Sequence, residues 1–370
     1  MKPAMPDPRR LLELLFFAAV EAADPRRCLE PFLPERPKGR TVVIGAGKGS
    51  AQLARAFEEL WTGPLSGVVV TRYGYAVPCE RIEVLEAAHP VPDAVGMVAA
   101  ERLFAAVRGL GPDDLVVALI SGGGSALLPA PPAGLTLDDD IALNRALLAS
   151  GAPIAAMNTI RKHVSLIKGG RLAAAAAPAR VVTLVVSDIP GDEPAYVASG
   201  PTVADAGSRA DALAAIERYR IALPAPILRH IASPDADAPR PDDPVFARNE
   251  THVVASASLS LEAAVARAEE QGIAAVILSD AVEGEARECA HLHAAMAREV
   301  LRRNRPFPRP VVMLSGGETT VTLKGGGKGG RNSEFALSLA LDIAGAGAIH
   351  ALAADTDGID GSEDNAGAFA

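Results

Sequence analysis

An α/β protein built on a parallel sheet, with a second and smaller α/β domain, is what this sequence predicts. Short β-branched runs alternate with helical stretches from Thr41 to about Gly191, and several of those runs end in glycine turns. The chain has 370 residues, too many for one modest core and suited to two domains of ordinary size. With 49% apolar residues but only 4% aromatic, the interior must be built from small aliphatic side chains on helices and buried strands.

The strands are expected at 41–44, 67–71, 82–86, 115–120 and 181–186, each a β-branched run bounded by turn residues. Helices are expected between them at 50–60, 93–107, 137–148 and 158–176, the last with Asn158 as its cap. Between Leu223 and Pro244 the pattern dissolves into "SPDADAPRPDDP", which reads as a linker. The expected domains are therefore 1–235, a three-layer α/β/α unit, and 236–370, with a cleft between them. In the second, strands are expected at 252–255, 275–278 and 311–314 and helices at 259–271 and 283–302.

The balance of 36 basic against 45 acidic residues gives a formal charge of -9, which excludes an overall attraction to nucleic acid. Cys28, Cys79 and Cys289 form neither a disulfide framework nor a zinc site, so a reducing cytoplasm is expected. Arg9 and Arg10 precede an apolar run as in a signal peptide, but Glu13 and Glu21 interrupt it, so it reads as an amphipathic first helix. No stretch reaches the length of a transmembrane helix.

The first strand ends in "GAGKGS", where Gly45, Gly47 and Lys48 open a helix and can present backbone N–H groups to an anion. A dinucleotide fingerprint needs a third glycine where Ser50 stands and an acid after the second strand, where the chain has Thr71 and Arg72. A Walker loop fails at Val42. The fourth strand runs into Ser121, Gly122, Gly123, Gly124 and Ser125, three adjacent glycines at the carboxyl end of a parallel strand, better explained by close approach of a phosphate or substrate than by packing. An acyl-transfer elbow would need glycine at Leu127.

Asn158, Arg161, Lys162 and His163, with Lys168 and Arg171 one loop later, gather cations that hint at an anionic partner. Asp188, directly after the fifth strand, is placed to hold magnesium or to take a hydroxyl proton. In the second domain a strand ends in Ser315, Gly316, Gly317 and Glu318, read as a second glycine turn, and "KGGGKGGR" from Lys324 to Arg331 has the look of a phosphate clamp or lid. "DTDGIDG" from Asp355 fails as an EF-hand at Ile359, Asp360 and Ala366, which leaves Asp357 for magnesium, substrate hydroxyls or an ordinary acidic turn. His291 and His293, two apart on a helix, cannot form a zinc pair.

Seven motifs in order, "GAGK", "LISGGGSALL", "MNTIRKHVSLIKGGRLA", "VSDIPGDEPAYVASGPT", "LSGGETTVT", "GGRNSEFALSLAL" and "DTDGIDG", resemble those of MOFRL-type glycerate 2-kinases over most of the chain. The resemblance implies a Rossmann-like first domain, a MOFRL second domain, and ATP with Mg2+ converting D-glycerate to 2-phosphoglycerate. It implies catalytic roles for Lys48 and Arg331, beside Asp188, and phosphate or substrate contacts at both SGG turns and Asn332. A homodimer is compatible with it. Ser333, Asp355 and Ser362-Glu363 depart from the family's usual residues, and family members continue past "DTDGIDG", so the second domain is expected to be incomplete at its carboxyl end. The rival readings are a hydroxypyruvate reductase using NAD(P)H and a non-catalytic metabolite-binding module.

Overall fold

A computed structural model of the chain describes residues 7–323, 325, 327–361 and 364–370. The chain divides into two compact units, Pro25–Ser256 and a second that takes in the segments before and after it. The first helix, α1 (Pro8–Ala22), belongs to the second unit.

The Pro25–Ser256 unit begins with α2 (Pro25–Leu29), β1 (Thr41–Ala46), α3 (Ser50–Leu60), β2 (Ser66–Arg72), β3 (Ile82–Ala87) and α4 (Ala94–Val107). It continues through β4 (Leu115–Ser121), α5 (Gly124–Leu127), α6 (Leu137–Ala149), α7 (Ile154–Lys162), α8 (Arg171–Ala176) and β5 (Arg180–Val186). It closes with α9 (Arg209–Arg218), α10 (Ala225–Ala232) and β6 (Glu250–Ala255). The six strands form one parallel sheet in the order β3-β2-β1-β4-β5-β6. Strands covered on both faces need continuous apolar runs, which Val42–Ile44 and Leu115–Ile120 supply with little exposure anywhere along them. The chain order reverses between β1 and β4, so a crevice opens there beyond the carboxyl ends of the strands.

Three expectations about this unit are corrected. The helix expected over 158–176 is two helices: α7 ends at Lys162 with His163 as its cap, and after a link in which Gly169 and Gly170 adopt left-handed φ values of 62° and 81°, Gly170 starts α8. Asn158 is therefore no cap; it lies inside α7, which starts after Pro153. The boundary expected at 235/236 falls at Ser256 instead. Within the proline-rich stretch, Ile227 and Ile231 of α10 are fully buried against Leu143, Leu147 and Ile160, and β6, expected to open the second domain, pairs with β5. Burial of those two side chains, worth roughly 1.5–3 kcal/mol each, outweighs the local turn composition.

After Ser256 come α11 (Ala257–Glu270), β7 (Ala274–Glu285), α12 (Ala286–Arg303), β8 (Val311–Thr320), α13 (Arg331–Asp342), β9 (Leu352–Ala354) and β10 (Gly367–Phe369). Leu11 and Leu15 of α1 pack on Ala264, Ala268 and Ile273, which gives the apolar stripe of the first helix its partner. β7 and β8 pair in parallel, with register breaks around Ser279, and β9 pairs antiparallel with β10. Residues Ser315, Gly316, Gly317 and Glu318 do not form the expected turn but continue β8 as far as Thr320. The adjoining Thr319 and Thr320 are β-branched and favour extension, and the backbone of Val282 approaches Gly317 so closely that a methyl group there would stand 2.2 Å from its carbonyl oxygen. Among the described residues no helix is long and apolar enough to cross a membrane.

Candidate active site

The carboxyl ends of β1, β3, β4 and β5 converge at the crevice. Gly47 follows β1 with φ 138°, and a methyl group on it would stand 2.2 Å from Oγ of Ser121, so only glycine lets the β1 and β4 loops approach. The loops are then tied together: Lys48 N–H donates to the Gly122 carbonyl at 2.8 Å, and Gly49 N–H donates to Ser121 Oγ at 3.0 Å. Lys48 itself is exposed, its side chain against the face of Gly123. Gly45 serves packing instead, since Leu119 O would be 2.5 Å from a methyl group there.

On the other side of the glycine loop stands Asp188, exposed at the end of β5. A methyl group on Gly122 would lie 1.7 Å from its Oδ2, so the second glycine of the loop is what admits this carboxylate. Gly124 is pressed just as closely by Ala198. Ala198 and Ser199 adopt φ values of 53° and 61°, left-handed conformations that cost non-glycine residues about 1–3 kcal/mol each. Hydrogen bonds hold that strained segment: Ser125 Oγ and Ser199 Oγ lie 3.0 Å apart, Ser199 Oγ donates to Asn158 Oδ1 at 2.9 Å, and Asn158 Nδ2 donates to the Tyr196 carbonyl at 3.1 Å. Arg161 extends the network by donating to Asn158 Oδ1 and Asn144 Oδ1. Asn158 and Arg161 therefore brace the loop from behind.

Lys162, expected to meet an anionic ligand, is instead 1% exposed and closed in an ion pair with Asp205. Burial lowers its pKa against the opposing pull of that carboxylate.

Two residues that motif reading did not place among the site's candidates belong to this cluster. His89, just beyond β3, has Nε2 3.0 Å from the point where a methyl group on Gly123 would sit. Burial, then the charges of Lys48 and Arg72, push its pKa below the ordinary histidine value and so favour the neutral ring. Arg72 ends β2, next to Thr71, whose hydroxyl donates to the Lys48 carbonyl. No spacing in the sequence links them to Gly123; the parallel register of four strands does.

In the other unit, Arg331 opens α13 and donates to Glu318 Oε1 at 2.8 Å and to Asp355 Oδ2 at 2.8 and 3.2 Å. Burial works against its charge, but these two carboxylates outweigh burial and raise its pKa. Asp360, fully buried, takes the amides of Asn332 and Ser333 at 2.8 Å each and the Ser333 hydroxyl, and so caps α13. Asn332 donates to Asp360 through its side-chain amide as well, at 3.4 Å. Asp357, a candidate metal ligand by sequence, accepts the Ile359 amide at 2.9 Å, and among the described residues no group of three or more His, Cys, Asp or Glu could hold a metal ion. Ser315 Oγ lies 3.0 Å from His293 Nε2, and Gly316 faces Leu261. Lys324 of the lid-like loop and the Ser362-Glu363 pair lie outside the described residues.

Burial would raise the Asp360 pKa, but its amide and hydroxyl donors overcome that and hold it below the usual carboxylate range. A depressed folded-state pKa adds stability that is present above the unfolded value near 3.9 and is lost as pH falls through the folded value. Asp360→Asn is accordingly expected to cost about 1–3 kcal/mol at pH 7 and to flatten the fall of melting temperature below about pH 4. Equal acid slopes for the two proteins would refute this.

Glycine loops meeting at the reversal point of an open parallel sheet define the class: a doubly wound α/β protein with a ligand crevice at the strand ends. Residues 11–232 match the domain of unknown function DUF4147, and residues 311–370 match the MOFRL family. The D-glycerate 2-kinase of Thermotoga maritima is 38% identical over 98% of this chain and 86% of that protein. A protein of Agrobacterium vitis whose name provisionally assigns it hydroxypyruvate reductase activity is 54% identical over 98% of this chain and 82% of that one. The crystal structure of glycerate kinase from Thermotoga maritima superposes with a TM-score of 0.87 at 36% identity, covering 98% of this chain and 87% of that one. The chain belongs to the DUF4147–MOFRL family, which includes these glycerate kinases.

Proposed function

We infer that this chain is a glycerate 2-kinase, a phosphotransferase that moves the terminal phosphoryl group of ATP to the 2-hydroxyl of D-glycerate. The observation that carries this reading is the meeting of Lys48 and Asp188 on opposite sides of one glycine loop, in a chain that matches kinases of this name along nearly its whole length. Phosphoryl transfer asks a protein mainly to position the reactants and to neutralise charge on the moving group. Lys48 supplies that charge from the β1 turn, and the likeness to these kinases carries a catalytic role to Arg331 as well. As the new O–P bond forms, the bond to the ADP oxygen breaks, ADP leaves, and the hydroxyl proton passes to solvent, directly or by way of the Asp188 carboxylate.

Magnesium fits as an ion carried by the nucleotide, because Mg2+ on phosphates needs only one or two protein carboxylates and keeps its waters. Asp188 is the carboxylate that would meet it; alternatively it orients the acceptor hydroxyl. Held there, the ion would supply charge neutralisation to the phosphates, with Asp188 as the residue that holds it.

The reductase reading has the geometry against it. Ser50, where a dinucleotide turn wants glycine, is buried and donates through Oγ to Val70 O at 2.6 Å or Gly47 O at 2.9 Å. The second strand ends in Arg72 rather than in the acid that would take a ribose hydroxyl. Offering ATP with D-glycerate, and NADH with hydroxypyruvate, in separate assays should give ADP and 2-phosphoglycerate in equal amounts and no nucleotide oxidation. Steady NADH oxidation without ADP formation would overturn the assignment, and ATP binding without turnover would favour the non-catalytic reading.

A further inference from the structure

Kinase chemistry at the β4 loop leaves one group at the crevice without a task. Arg72 is partly buried at the end of β2, its guanidinium 3.6 Å above the ring of Tyr75, and its Nε is buried with no hydrogen-bond partner among the described residues. A buried donor left unpaired is costly, whereas a guanidinium fixed by stacking offers a fork that matches a carboxylate.

The acids near it are already committed elsewhere. Glu86 Oε1 accepts the amides of Gly74, Tyr75 and Ala76 at 2.6–3.3 Å, and Asp93 accepts the Tyr73 hydroxyl and the Gly96 amide that starts α4. His89 stands nearby, at the Gly123 face of the glycine loop, where burial and the two cations disfavour a charge on its imidazole. The positive charge on this side of the crevice therefore belongs to Lys48 and Arg72. Lys48 is exposed beside the loop, as transfer of a phosphoryl group requires. Arg72 is set back behind it on the next strand, where a second and different anion would sit.

We propose that Arg72 is the specificity-determining residue for the acceptor, holding the carboxylate of the 2-hydroxy acid, with the imidazole of His89 lining the same seat. The proposal rests on the kinase reading and deepens it. A hydroxy acid anchored by its carboxylate at Arg72 presents its 2-hydroxyl toward Lys48 and the glycine loop, whereas a neutral polyol has no such anchor.

The test is steady-state kinetics on the full chain, with D-glycerate and ATP varied in turn, for the wild type, Arg72→Ala and Arg72→Lys. R72A is expected to raise the KM for D-glycerate roughly 10- to 100-fold, as loss of a charge-assisted bidentate contact does, while the KM for ATP stays within about twofold. R72K keeps the charge but not the fork, so its KM should fall between the two, and guanidinium ion added to R72A should restore part of the loss. R72K also controls for folding should R72A prove unstable, since a lysine stem can still cover Tyr75. A glycerate KM unchanged in R72A, or a rise confined to the KM for ATP, would overturn the proposal. Failure of the wild type itself to phosphorylate D-glycerate would instead sink the kinase reading on which it rests.

Discussion

Replacing Lys48 by alanine is expected to lower kcat for glycerate phosphorylation by about a hundredfold or more, as loss of one charge partner of a transition state commonly does. Nothing that builds the fold should change. The Lys48 side chain is exposed, and the turn around it is held by backbone: its own N–H on Gly122, the Gly49 N–H on Ser121, and its carbonyl accepting from Thr71. Alanine keeps all of these. Melting should therefore be superposable on the wild type, and the loss should fall on kcat rather than on the KM for glycerate, which separates Lys48 from Arg72. A variant with wild-type kcat would leave Lys48 a solvated lysine at a tight turn.

Arg331→Ala should reduce kcat by a similar factor, about a hundredfold, but with a second consequence that Lys48 does not carry. Arg331 bridges Glu318 and Asp355, and its removal leaves two carboxylates facing one another without a cation. Asp355 has only 13% of its side chain exposed while Glu318 has 71%, so solvent screens half of the arrangement. A cost of roughly 1–2 kcal/mol is expected, visible as a lower melting temperature at pH 7. Arg331→Lys should recover much of the stability and less of the activity, because a point charge cannot reach both carboxylates as a fork does. Normal kcat with lowered stability would reduce Arg331 to a clamp on the start of α13.

The glycine loops show where sequence reading succeeds and where it stops. Ser121 to Ser125 and Ser315 to Glu318 look alike over their first three residues, yet the first ends a strand and the second runs on as one. The residues just beyond the glycines make the difference: Ala126 and Leu127 favour a helix, whereas Thr319 and Thr320 favour extension. That contrast is open to anyone reading a few positions further along the chain. The strands of the parallel sheet were legible for the same kind of reason, since a strand buried on both faces must be apolar throughout. The position of β6 was not, because it is fixed by pairing with β5 across more than sixty residues of chain, from Val182 to Glu250. Arg72 and His89 share that fate, as do the partners of Lys162, whose ion pair with Asp205 turns an expected ligand contact into a brace. A motif reports what a backbone segment can do locally; which charges then find each other is written in the register of distant strands.

The docking of α1 sets a clock on biosynthesis. Its apolar stripe, Leu11 and Leu15, leaves the ribosome ahead of the Pro25–Ser256 unit, while the surface that receives it lies on α11 and Ile273, after that unit. At about 5–20 residues per second, the wait is on the order of 10–50 s. Throughout it the six-stranded sheet can assemble from contiguous chain, but the first helix has no partner to fold onto, and helices of its length are marginal alone in water. The nascent chain thus carries this leucine face without its partner through most of its synthesis.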